Sequence, residues 1–71
     1  MHLKHDALDK EIDRIFEKEN TPNDALLSEI DSLARAELIV AVEEIVGKQL
    51  TNGQVYAFKT VKDIKDLLNN D

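Results

Sequence analysis

Asp31-Ser32-Leu33 opens the stretch of this chain whose residue types can do the most chemistry. A serine at the start of a helix sits where unpaired backbone N–H groups and the helix dipole favour a phosphate, so Ser32 could carry a phosphodiester that points away from a core. The same place suits an ordinary helix cap, and either Ser32 or Asp31 could simply accept a backbone N–H there. Glu37, Glu43 and Glu44 follow on the same helix. At about 100° per residue, Ala34, Leu38, Ala41, Val42 and Ile45 cluster on one side. Ser32, Leu33, Ala36 and Val40 lie on the other, rimmed by the three glutamates. Apolar side chains inside a carboxylate rim suit docking to a basic partner. They equally describe a solvated face that happens to carry single hydrophobics. Arg35 projects toward the core side of this wheel, from which its charged end is expected to extend into solvent.

Other reactive arrangements are missing. The chain has no cysteine, which removes disulfides, thiol nucleophiles and zinc–cysteine sites. No Ser-His-Asp set, glycine-rich phosphate loop or paired catalytic acid and base can be read from it, so no catalytic residue and no enzyme activity are expected. His2, His5 and Asp6 share a terminal turn, but two imidazoles at a frayed end make a poor metal site, and none is expected. Lys59, Lys62 and Lys65, interleaved with Asp63 and Asp66, are ordinary surface patterning.

Four helical segments would position Ser32. Leu8, Ile12, Ile15 and Phe16 recur at helical spacing between about Leu3 and Glu19, with charged residues on the opposite surface. Asn20-Thr21-Pro22-Asn23 breaks the chain, and Thr21 could cap a new turn with Pro22 at its first position. The second strong helix runs from about Ser32 to Val46 and stops at Gly47, where a left-handed residue is expected, with Lys48 beside the carbonyl end. Two starts compete for it. The rhythm of Leu27, Ile30, Ala34, Leu38, Ala41 and Ile45 allows one long helix from Pro22 to Val46, and Ser28 with Asp31 fits a capping box. Thr51-Asn52-Gly53 reads as a turn, leaving Gln54–Phe58 room for one short helical turn. Thr60 then caps a last helix whose Val61, Ile64, Leu67 and Leu68 form an apolar stripe. No stretch alternates like a strand, so the fold is expected to be all-α, a small bundle of three main helices and one short one.

With 71 residues the chain makes one domain, 1–71. Its net charge of −6, from 15 acidic and 9 basic residues, repels nucleic acid and anionic lipid and favours partners with basic surfaces. The longest apolar run, Leu38–Val42, is far below the ~20 residues that span a bilayer. No secretory pattern is present, so the cytoplasm is the expected compartment; the chain is also expected to be a monomer.

Asp31-Ser32-Leu33, Glu37-Leu38 and Val42-Glu43-Glu44 in one ungapped helix, followed by Leu50, Phe58, Thr60-Val61, Ile64 and Leu67-Leu68, resemble the acyl carrier protein family. The likeness is clear from about Ile30 to Leu68. It implies a four-helix bundle with a short third helix and favours a break before Ser32. It also implies that Ser32 is esterified with 4′-phosphopantetheine, drawn from coenzyme A by a phosphopantetheinyl transferase with a divalent metal. By position, Asp31 would help orient that transfer. The arm's thiol would carry acyl groups as thioesters, giving a cysteine-free chain thiol chemistry. Leu33, Glu37, Val40, Glu43 and Glu44 match the positions that meet acyl-loading and condensing enzymes. Three features depart from the family pattern: Glu29 stands where a glycine is usual, the first loop is short, and Arg35 replaces a small or acidic residue. They suggest a specialised carrier in fatty-acid, polyketide or related biosynthesis. An aminoacyl or peptidyl carrier of a nonribosomal pathway, or a helical adaptor that takes no arm, are the alternatives.

Overall fold

The computed structural model describes residues 3–69. Four α-helices lie among them: α1 (Leu3–Phe16), α2 (Ser32–Val46), α3 (Asn52–Ala57) and α4 (Val61–Asn69). A 3-10 turn, Leu27–Glu29, precedes α2, and no strand forms among the described residues. The expected all-α bundle of three main helices and one short one is what the chain builds.

Helix α1 ends at Phe16, three residues before Glu19. Glu17 turns left-handed (φ 57°), its N–H reaches Arg14 O at 3.3 Å, and the N–H of Lys18 reaches Asp13 O at 3.1 Å. Those two bonds close a Schellman-type end, which satisfies the last carbonyls without a glycine. Asp13 then organises the departing chain, accepting the N–H groups of Asn20 (3.1 Å) and Thr21 (2.9 Å) through its two carboxylate oxygens.

The segment from Pro22 to Ile30 is not helical, apart from its single 3-10 turn. Thr21 does not cap a helix; it is buried, and the next bond is a turn from Ala25 N–H to Pro22 O. Nor does the capping box of Ser28 and Asp31 form. The physical reason lies at the other end of the chain. Leu27 donates its N–H to Lys59 O at 2.9 Å, while Ala25 O accepts from Val61 N–H and Asn23 O from Lys62 N–H. Leu26 and Thr60 make an antiparallel bridge in the middle of this pairing. The first-turn donors of α4, which have no partner inside their own helix, are thereby satisfied. The same exchange holds the loop extended and buries Ala25 and Leu27.

Asp31 caps α2, with its carboxylate accepting the N–H of Ala34 at 2.7 Å. Gly47 ends the helix at φ 84°, a left-handed conformation that glycine adopts without penalty. The α3 boundary differs from the sequence expectation. Thr51 and Gln54 form a reciprocal capping box, so the helix starts at Asn52 and Gly53 lies inside it. At α4, Asp63 reaches back to accept the N–H groups of Lys59 (2.9 Å) and Thr60 (3.1 Å).

Side chains from all three main helices and the first loop meet in one core, centred on Leu8, Ile12, Leu27, Leu38, Val42, Val61 and Ile64. Helix α1 packs against both α2 and α4. Each such side chain contributes about 1.5–3 kcal/mol when withdrawn from water. Helix α3 buries none of its residues fully, so it rests on the bundle rather than filling it.

Candidate functional site

Ser32 is the first residue of α2 and is exposed. Its neighbour settles which residue is the cap. Asp31 lies outside the helix in extended conformation and takes the N–H of Ala34, while its carbonyl takes that of Arg35 at 2.9 Å. The hydroxyl of Ser32 is therefore not required to hold the helix end. It stands where the dipole of a 15-residue helix is positive, on a short linker from the backbone. Ser28, the second serine of the chain, is also exposed, but it sits in the 3-10 turn and starts no α-helix.

Two grooves run along α2 beyond Ser32. One, of about 390 Å³, lies toward α3 and is lined by Ser32, Arg35, Ala36, Ile39, Val40 and Val55. The other, of about 690 Å³, lies toward α1, with Leu33, Ala36, Glu37, Val40 and Glu44 along its α2 wall. Ala36 and Val40 line both and form the ridge between them. Leu33 and Val40 are 74% and 52% exposed, large fractions for apolar side chains in so small a domain. Glu37 and Glu44 are exposed beside them. The predicted face of apolar residues and carboxylates is thus assembled on one side of α2.

Glu43 stands apart from that face. It is half-buried, and its carboxylate accepts the N–H of Leu50 at 2.8 Å, which ties the loop after α2 to the helix. Arg35 also differs from the expectation that its charged end would reach into solvent. Its Nη2 donates to Val55 O and Phe58 O, both at 3.3 Å, across the groove at the end of α3. Val55 O also accepts the N–H of Phe58 at 3.2 Å, so the guanidinium is a second donor to it, and a cation is favoured at a helix C-terminus, which draws the guanidinium inward. Neither contact has a local sequence signal, because the partners lie 7, 20 and 23 residues away.

Glu29 takes the place of the family's usual glycine without backbone cost. It belongs to the 3-10 turn and is not among the residues with positive φ. Of the terminal trio, His2 lies outside the described residues. Among the described residues no three His, Asp or Glu side chains converge as a metal site.

A family model described as a phosphopantetheine attachment site matches residues 7–68. The chain belongs to this family. Its members carry phosphopantetheine covalently on a serine and act as carriers rather than catalysts. Both serines fall inside the matched window, as do all four helices but the first residues of α1 and the last of α4. No curated protein is a significant match to the chain. Among the described residues, no helix of this carrier is long and apolar enough to cross a membrane.

The residues around Ser32 fit such an arm. The hydroxyl is exposed, the helix end compensates a phosphate, and an apolar groove begins beside it.

Proposed function

We propose that Ser32 is the attachment residue and that the chain carries acyl groups in fatty-acid, polyketide or related biosynthesis. The observation that supports this most is the division of labour at the start of α2. Asp31 holds the helix, and Ser32 is left exposed at its positive end. The bound arm supplies a thiol, on which acyl groups travel as thioesters. The protein's own part is to hold that attachment point rigidly, compensate the phosphate and present a surface. Asp31 keeps the first turn of α2 in register and leaves a carboxylate beside the hydroxyl, where the transferase's divalent metal would meet it.

Leu33, Val40, Glu37 and Glu44 form the docking face. Basic partner surfaces meet the carboxylates, and the ridge of Ala36 and Val40 sets the register between them. Glu43 supports this face from behind by holding Leu50. The acidic helix favours an acyl carrier over an aminoacyl carrier. On this reading the chain works as a monomer in the cytoplasm.

Incubation with coenzyme A, magnesium and a promiscuous phosphopantetheinyl transferase, followed by intact-mass measurement, tests the reading. The wild type gains the mass of one arm. An unchanged mass, under conditions that load a control carrier, removes the proposal in favour of an unmodified adaptor.

A further inference from the structure

Arg35 is the one basic residue in α2, and it lies one turn beyond Ser32 in the same groove. Residues three apart on a helix are surface neighbours, with Cβ atoms about 5–6 Å from each other. The arginine side chain is long enough to cover that distance. In the unmodified chain it points elsewhere, and both of its hydrogen bonds, to Val55 O and Phe58 O, leave from the single atom Nη2 at 3.3 Å. These are long bonds to neutral acceptors. A guanidinium bonded to a phosphate or carboxylate reaches about 2.7–2.9 Å and bonds roughly twice as strongly.

Helix α3 depends on such ties. It has six residues, none fully buried, and its start is secured by the Thr51–Gln54 box. Its far end is where Arg35 binds, and Val55 forms the α3 wall of the groove. A phosphodiester on Ser32 would add a negative charge next to Asp31, in a chain whose net charge is already −6. The guanidinium is the cation placed to answer it.

We propose that Arg35 is a two-position positioning residue: it clamps the end of α3 in the unmodified chain and moves to the phosphodiester once Ser32 is loaded, freeing α3 to open the groove. The inference rests on the Ser32 reading. Arg35 then couples the modification state to access between α2 and α3, and it fixes the first segment of the arm against the helix.

Amide hydrogen exchange of residues 52–58, measured by NMR on the full chain before and after loading, tests it, with the intact mass recorded on the same samples. Loading is expected to speed exchange at Val55 and Phe58 about tenfold, the effect of losing roughly one hydrogen bond. High salt, which screens the pairing with phosphate, restores part of the protection. In Arg35→Gln these amides exchange fast with or without the arm, and Arg35→Lys, which keeps the charge without the planar fork, falls between. A sample that gains no mass overturns the Ser32 reading and this one with it. A sample that gains the arm while α3 protection stays unchanged overturns the clamp alone. So does an unmodified Arg35→Gln chain whose α3 exchanges as slowly as the wild type.

Discussion

At the start of α2, adjacent side chains separate a structural task from a chemical one. Asp31 spends its carboxylate on the N–H of Ala34, and Ser32 stays exposed. Substitution therefore has opposite consequences at the two positions. Ser32→Ala changes stability by less than about 0.5 kcal/mol, because only a surface hydroxyl is lost, yet it removes loading altogether. Asp31→Ala lowers stability by about 1 kcal/mol, as measured by urea denaturation, because it removes the cap. A Ser32→Ala chain that unfolds would show the hydroxyl to be structural. Two further carboxylates act as backbone receptors, and both titrate accordingly. Asp63 lies below its ordinary value of 3.8, mainly because Lys59 and then Thr60 donate backbone N–H groups to it. Asp13 is lowered from the same value, chiefly by the N–H of Thr21. A depressed folded-state pKa means that these contributions are complete above the unfolded value and fade as pH falls through the folded one. The melting temperature should accordingly drop below about pH 4, and the drop should be shallower in Asp63→Ala than in the wild type. A parallel acid limb in the two proteins would contradict this.

Among the elements, α2 was the most legible, because its marks are local: Asp31 before it and Gly47 after it. Gly47 is left-handed with open space around the position of a Cβ, so Gly47→Ala should cost about 1 kcal/mol from backbone conformation alone. A neutral result would mean that the helix can end another way. The end of α1 was hidden, since Glu17 occupies a left-handed position where glycine would have marked it. The start of α3 was hidden for the opposite reason: Gly53 made Thr51–Gly53 look like a turn, while the stronger signal was Thr51 paired with Gln54. The contacts of Glu43 and Arg35 escaped the helical wheel because it assigns only a direction, whereas their partners come from the loop before α3, from α3 itself and from Phe58 just after it. On the outer face of α2, Glu37→Lys or Glu44→Lys should weaken association with the transferase, more at low than at high salt. A loss independent of salt would point to apolar contact instead.

The whole molecule is a three-sided core with a fourth, lighter helix laid against it. Its apolar spacing was readable at Leu8, Ile12, Leu38, Val42, Val61 and Ile64, all buried as expected. The pairing of Asn23–Leu27 with Lys59–Lys62 was not readable, because it joins distant segments through backbone groups that any residue carries. That pairing nonetheless holds the loop between α1 and α2 against the start of α4. Leu38→Ala, at a fully buried position, should destabilise the fold by about 2–5 kcal/mol. In a 71-residue domain this is a large share of the total stability, and thermal unfolding would reveal it.

Fragment-ion mapping of the loaded chain reads the attachment point itself. The account predicts that the whole adduct is on Ser32 and that Ser28→Ala loads like the wild type. An adduct on Ser28, or loading that survives Ser32→Ala, would contradict it.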